Sequence, residues 1–336
     1  MKNIAIIGAG SFGTALSVVL GHSGFPVTLW AREPEVAAGI NQTRKNPSYI
    51  SGVELPNSVE ATTDMGLALK DADMVLFAVP SHALRAVATG AKAFMSGTEV
   101  IVSVAKGIEK NTLMTGSQIL VNVLDGLIPE DHVGVLTGPS HAEEVSAFKP
   151  TTVVAAAYSK STARIIQETF MTPMFRVYAN YDIVGAEIGG ALKNIIAIAA
   201  GIVDGAELGD NAKAALITRG LHEMTRMGVA MGASRDTFSG LTGMGDLIVT
   251  CTSEHSRNRF VGYHIGKGKT LEEITSGMNM VAEGVKTTAS VCQWAQLNNV
   301  EMPITSAVDQ VLFHKVDPSD ALYTLMTRNP KEEARI

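Results

Sequence analysis

The sequence predicts an α/β protein: a doubly wound, mostly parallel β-sheet covered by helices, followed by an all-α C-terminal domain. Three observations carry this reading. Short β-branched runs alternate with helix-like stretches through the first half of the 336-residue chain. The first such run leads straight into Gly8-Ala9-Gly10-Ser11-Phe12-Gly13. From Tyr181 onward strand signal almost vanishes and long helical patterns take over. Near-continuous apolar strands separated by helices are what a sheet covered on both faces requires.

Candidate strands fall at Asn3–Ile7, Val27–Trp30, Met74–Val79, Val100–Val104 and Val133–Leu136, with two more at Thr152–Ala156 and Phe175–Tyr178. Between them lie helix-like segments such as Gly13–Gly24, Met65–Lys70, His82–Phe94 and Ser140–Ala147. The second half offers Asp182–Val203, Asn211–Met231, Ser256–Gly266, Glu283–Asn298 and Ser306–His314, punctuated by Gly and Pro. Two domains follow: residues 1–180 as a dinucleotide-binding unit and 181–336 as a helical substrate-binding unit. No Pro- or Ser-rich linker separates them, so a tight cleft is the expected ligand site.

Composition narrows the function classes. Hydrophobic residues make up 46% and charged ones 18%, enough for well-buried interiors. A net charge of −6 without any basic run argues against a nucleic-acid or anionic-membrane surface. Only Cys251 and Cys292 occur, with no CxxC, and the eight histidines show no HxxxH or HExxH spacing. No metal site and no disulfide framework is expected, and a reducing cytoplasm is the expected compartment. The apolar run Ile4–Ala9 is far too short for a signal-peptide core. Ile183–Val203 is long enough to span a membrane, but Glu187, Lys193 and Asn194 interrupt it. A central lysine costs about 2.5–3.5 kcal/mol on insertion scales. A helix buried between protein layers is the better reading.

The glycine run matches GxGxxG where the chemistry needs it, after a strand and at the opening of a helix. Gly8 permits the tight turn, Gly10 lets the backbone approach a diphosphate, and Gly13 lets helix and strand pack closely. The helix start then offers N–H groups and partial positive charge to the phosphates. This Rossmann-like reading makes Gly8, Gly10, Ser11, Phe12 and Gly13 cofactor contacts. The second strand ends in Arg32-Glu33 where an NAD-selective domain usually offers an acidic residue. Arg32 suits a 2′-phosphate, so NADP(H) or NAD(H) is expected, with a solvated Arg32–Glu33 surface pair as the alternative. Ser81, in Val79-Pro80-Ser81-His82, reads as the cap of the next helix, and His82 as a surface histidine.

Further motifs follow in order: Ala105-Lys106-Gly107-Ile108-Glu109, Leu136-Thr137-Gly138-Pro139-Ser140 and Gly189-Gly190-Ala191-Leu192-Lys193-Asn194. Then come Asn211-Ala212-Lys213-Ala214-Ala215, Gly243-Met244-Gly245-Asp246-Leu247, Thr250-Cys251-Thr252, Ser256-Arg257-Asn258-Arg259 and Glu283-Gly284. Together they resemble the bacterial-type NAD(P)-dependent glycerol-3-phosphate dehydrogenases over almost the whole chain. The resemblance implies reversible reduction of dihydroxyacetone phosphate to sn-glycerol 3-phosphate, in a homodimer subject to product inhibition. It assigns Lys193 as the proton acceptor and donor. It places Lys106 beside both cofactor and substrate, and Gly138, Ser140, Asp246, Ser256, Arg257 and Asn258 on the substrate. Ala142, Arg257, Val281 and Glu283 match cofactor contacts. One departure is the segment Asn46–Gly52, which lacks the Leu-Pro pair expected near its end.

The residues agree with those roles. A lysine in an apolar helix is desolvated, which favours its neutral form, although a lysine snorkelling to water has the same pattern. Lys106 follows a strand and so projects over the carboxyl edge of the sheet. Ser140 with Glu143 spells a capping box. Ser256-Arg257-Asn258 offers hydroxyl, guanidinium and amide donors at a helix start, which suits a phosphate dianion. Asp246 would bond substrate hydroxyls or orient Lys193. Two rivals remain at this stage: a dehydrogenase of β-hydroxy acids, and a sensor that binds NAD(P)H without turnover.

Overall fold

The computed structural model describes residues 3–50, 52–277, 282–330 and 332–333. The chain packs as two compact units, Met1–Lys106 with Thr115–Ala186, and Gly107–Met114 with Glu187–Ile336. The division falls within one helix, a few residues beyond position 180, and the short segment 107–114 groups with the second unit.

The first unit is built on strands β1 (Ile4–Ile7), β2 (Val27–Trp30), β3 (Val59–Thr62), β4 (Met74–Phe77), β5 (Val100–Ser103), β6 (Val133–Thr137), β7 (Thr151–Ala157) and β8 (Phe175–Asn180). They form one sheet in the order β3-β2-β1-β4-β5-β6-β7-β8. All neighbouring pairs are parallel except β6–β7. Its helices are α1 (Ser11–His22), α2 (Pro34–Thr43), α3 (Met65–Leu69), α4 (Ser81–Lys92), α5 (Gly116–Leu124), α6 (Ala142–Ser146) and α7 (Lys160–Phe170). Strands β1, β4 and β5 are buried at every position, as a sheet with both faces covered demands. The mostly parallel, doubly wound sheet is the one the sequence predicts.

Strand β3 and helices α2, α5 and α7 are absent from the sequence reading. β3 lies at the sheet edge, spans four residues and exposes Glu60, so its apolar signal is weak. Helix α7 is strongly polar on its outer side, and α5 announces itself by a Thr115/Gln118 capping box that was not read. Two expected caps are corrected. Pro80 takes the N-cap position of α4, so Ser81 is already helical and does not cap it. Helix α6 starts at Ala142 behind His141, too late for Ser140 to cap it, and the Ser140 hydroxyl turns back onto the Gly138 carbonyl at 2.9 Å.

The second unit is helical among the described residues: α8 (Ile183–Gly205), α9 (Asp210–Ala230), α10 (Arg235–Phe238), α11 (Asp246–Thr252), α12 (Arg257–Gly266), α13 (Leu271–Ser276), α14 (Glu283–Asn298), α15 (Pro303–His314) and α16 (Pro318–Met326). Helix α8 is long and apolar enough to cross a membrane, yet 94% of its most apolar window is buried inside the protein. What allows this is glycine on two faces in contact. A methyl on Gly201 of α8 would stand 2.1 Å from the Arg259 carbonyl oxygen, and one on Gly262 of α12 would stand 1.9 Å from that of Ile198. The two backbones therefore touch, which residues with a Cβ would forbid. Asp204 of α8 adds ion pairs to Lys213 of α9 at 2.8 Å and Arg259 of α12 at 2.7 Å.

Candidate active site

In the first unit β1 runs into the glycine turn. Gly8 has φ +120°, and a side chain there would meet the Ala78 carbonyl oxygen at 2.6 Å. A methyl on Gly13 would stand 2.0 Å from the Gly8 oxygen, so α1 packs directly on the turn. At Gly10 the outcome is opposite: a methyl would meet nothing within 4 Å. Gly10 is also the N-cap of α1 and, having no side chain, supplies no side-chain cap. A packed turn with one open glycine and an uncapped helix start fits a dinucleotide diphosphate. Ser11 and Phe12 are half-buried on this turn.

Arg32 stands just past the end of β2 with its side chain 81% exposed. Its guanidinium grips Glu33 Oε1, with Nε at 2.9 Å and a terminal nitrogen at 2.5 Å. That hydrogen bond and the Glu33 charge raise the pKa of Arg32 above its ordinary value. Further along the sheet, Lys106 Nζ donates to the Gly138 carbonyl at 3.0 Å, and the Ser140 hydroxyl donates to the same oxygen. Gly138 has φ +128°, which turns the chain sharply after β6. Ala142 is buried at the start of α6, and His82 is exposed on α4.

In the second unit, Lys193 of α8 and Asp246 of α11 are both buried, at 6% and 1% exposure, and form an ion pair. Lys193 Nζ also donates to Thr250 Oγ1 at 2.8 Å, and that hydroxyl donates to the Asp246 backbone carbonyl at 2.6 Å. A single π-turn at Leu241–Gly245 leads into Asp246, and Gly189 of α8 lies against it, a methyl there meeting the Thr242 oxygen at 2.3 Å. Such turns are frequent at functional sites.

The neighbouring residue, Asn194, accepts a 2.9 Å bond from Asn258 Nδ2, and Asn258 Oδ1 accepts from the backbone N–H of Gly284 at 2.9 Å. One amide thus ties α8, α12 and α14 together. Ser256 is buried and caps α12, its Oγ accepting from Arg259 N at 3.2 Å. Arg257 is exposed in the first turn of α12, and Glu283 opens α14 half-buried. Val281 lies outside the described residues. Burial pushes the Cys251 thiol, beside Thr250, up to about 12, so it offers no thiolate.

Two side chains of this cluster were not assigned from sequence. Thr250 stands four residues after Asp246, the spacing that puts two side chains on one helical face, and that signal was available. Asn194 carried no comparable signal, because its partner Asn258 is 64 residues away.

The chain matches two family models: the NAD-dependent glycerol-3-phosphate dehydrogenase N-terminus over residues 3–163 and the corresponding C-terminus over residues 182–323. A glycerol-3-phosphate dehydrogenase [NAD(P)+] of Salinibacter ruber is 53% identical over 331 residues, covering 98% of this chain and 96% of that protein. One from Moorella thermoacetica is 50% identical over 327 residues, covering 97% and 96%. Among solved structures, glycerol-3-phosphate dehydrogenase from Coxiella burnetii superposes with a TM-score of 0.92 at 37% identity, covering 97% of this chain and 99% of that one. With both halves matched and half the residues shared along its whole length, this chain belongs to the NAD-dependent glycerol-3-phosphate dehydrogenase family.

Proposed function

We propose that the protein is an NAD(P)-dependent sn-glycerol-3-phosphate dehydrogenase, interconverting dihydroxyacetone phosphate and sn-glycerol 3-phosphate for glycerophospholipid synthesis. The observation that carries this reading is the buried Lys193 ammonium held by Asp246 and Thr250. A charge is kept out of water at this cost only where it is paired.

A nicotinamide dinucleotide held by the glycine turn Gly8–Gly13 would supply the hydride to C2 of the ketone and accept it in the reverse direction. Lys193 Nζ gives a proton to the C2 oxygen as negative charge develops there, so the carbonyl becomes a secondary alcohol and the lysine is left neutral. In oxidation the neutral amine takes the hydroxyl proton back. Asp246 keeps Nζ aimed and balances its charge, and Thr250 fixes the third direction around the nitrogen. By the family resemblance Lys106, Gly138 and Ser140 are further substrate contacts, an ammonium such as that of Lys106 being suited to stabilise developing negative charge. Arg257, the Ser256 hydroxyl and the start of α12 hold the phosphate dianion. Asn258 has spent one amide hydrogen on Asn194 and keeps one for the ligand. Gly8, Gly10, Ser11, Phe12, Gly13, Arg32, Ala142, Val281 and Glu283 serve the cofactor. We place the enzyme in the cytoplasm as a homodimer.

NADPH and NADH oxidation with dihydroxyacetone phosphate tests this directly, against NAD reduction with 3-hydroxy acids. Turnover only with the hydroxy acids would move the substrate assignment. Tight NADPH binding without turnover on either would leave a sensor.

A further inference from the structure

The glycine turn is gripped from outside by a residue that neither the motif nor the proposed chemistry uses. Asn46 lies 37 residues after Ala9 and is completely buried. Its Nδ2 donates to the Ala9 carbonyl at 2.9 Å and to Thr14 Oγ1 at 2.9 Å. Its Oδ1 accepts the backbone N–H groups of Ser48 at 3.1 Å and Tyr49 at 3.0 Å. Two donors and two acceptor positions are all that an amide side chain possesses, so this one is saturated. Thr14 contributes a weaker bond of its own to Ala9, at 3.4 Å. The segment that carries Asn46 is itself held down: Arg44 donates to the carbonyls of Leu55 and Val59 at 3.2 and 2.8 Å.

Ala9 is the residue between the first two glycines of the motif. Its carbonyl shares a planar trans peptide unit with the N–H of Gly10, and in such a unit the two groups point in opposite directions. Fixing the Ala9 carbonyl on Asn46 therefore aims the Gly10 N–H away from Asn46. Gly10 is also the position at which an added methyl would meet nothing. We infer that Asn46 is a positioning residue for the dinucleotide: it sets the peptide plane whose N–H faces the diphosphate, and it couples the 44–50 segment to that plane. This rests on the cofactor reading above. Glycine gives the turn freedom to approach a phosphate, and the same freedom lets its peptide planes swing. A buried amide with every bond made removes that freedom before ligand arrives.

The test uses Asn46→Ala, which deletes all four bonds, and Thr14→Val, which deletes the hydroxyl that accepts from Asn46 and weakly donates to Ala9 but leaves the amide in place. NADPH dissociation constants come from nucleotide fluorescence titration of the full-length protein, with kcat and KM for both substrates and melting temperature measured in parallel. A buried hydrogen-bonding group left unsatisfied costs about 1–3 kcal/mol, which is roughly a 5- to 150-fold change in an equilibrium constant. We expect Asn46→Ala to raise the NADPH Kd and KM at least about tenfold. Its kcat and KM for dihydroxyacetone phosphate should stay within about threefold of wild type, because the group acts on cofactor binding. Thr14→Val should shift the same constants the same way by less. A purely structural role would lower the melting temperature and the active fraction with NADPH Kd unchanged in the folded protein, and that outcome overturns the inference. If Asn46→Ala does not fold, an unchanged NADPH Kd in Thr14→Val overturns it instead. Failure of the wild-type protein to bind NADPH would sink the cofactor reading itself, a result distinguishable from either.

Discussion

Lys193 of α8 and Asp246 of α11 form an ion pair from which water is nearly excluded, with Thr250 bonded to both partners. Removing one partner of such a pair leaves an uncompensated buried charge, which costs about 3–5 kcal/mol. Asp246→Asn should therefore lose stability on that order, read by urea denaturation. Lys193→Ala should lower kcat by about 100- to 10,000-fold, the usual range for a positioned acid or base, while NADPH affinity stays near wild type. Equal turnover in Lys193→Ala would end its proposed role.

Helix α12 depends on contact between backbones. Gly262→Ala sets a methyl 1.9 Å from the Ile198 carbonyl oxygen, so one helix has to move. Overpacking of this kind costs about 1–3 kcal/mol, and more when the obstacle is main chain. Because Asn258 lies one turn earlier on α12 and bonds Asn194, the KM for dihydroxyacetone phosphate should rise together with the loss in stability. A variant as stable and as active as wild type would show that the helices are free to separate.

Arg32 is paired with Glu33 on an exposed edge. Reversing its charge in Arg32→Glu should repel a 2′-phosphate and shift the NADPH-to-NADH ratio of kcat/KM toward NADH by at least about tenfold, since charged hydrogen bonds are worth roughly 1.5–3 kcal/mol. Glu33→Gln frees the guanidinium and should move the ratio the other way. An unchanged ratio in both variants would remove Arg32 from cofactor selection.

Glu223 of α9 is buried, and it accepts from the backbone N–H of Ile304 at 2.5 Å and of Thr305 at 3.1 Å at the start of α15. Loss of water outweighs those bonds and pushes its pKa from an ordinary 4.5 up to about 7. The folded protein then holds a proton that the unfolded chain releases between about pH 4.5 and 7. The contribution of this group is therefore greatest below the unfolded value, declines as pH rises through that window, and levels off above 7. Its full span is on the order of 3 kcal/mol. Denaturation of wild type and Glu223→Gln from pH 4.5 to 8 should give a stability difference that changes across the window. A constant difference would mean the carboxyl is ionised throughout.

The sequence by itself determined the sheet and its cofactor turn. Strands such as β1 and β4 are apolar at every position because both faces are covered, and Gly8 and Gly13 carry their steric reasons in their spacing. Local signals of that kind survive without knowledge of the fold. Edge strand β3 and amphipathic α7 were not read, because exposed positions dilute the apolar pattern. Lys193 stood out as a lysine in an apolar helix, and Ser256-Arg257-Asn258 as donors at a helix start. The caps assigned to Ser81 and Ser140 failed because a shift of one or two residues in a helix start changes which side chain faces the free N–H groups.

Only the tertiary structure decided who meets whom. Lys193 finds Asp246 across 53 residues, Asn258 finds Asn194 across 64, and Asn46 finds Ala9 across 37. Each of these pairings is polar, buried and distant in the chain. Periodicity records which side of an element is buried, but not which element will lie against it. The match is made when helices such as α8 and α12 close to backbone contact and their polar groups, cut off from water, have only one another to bond.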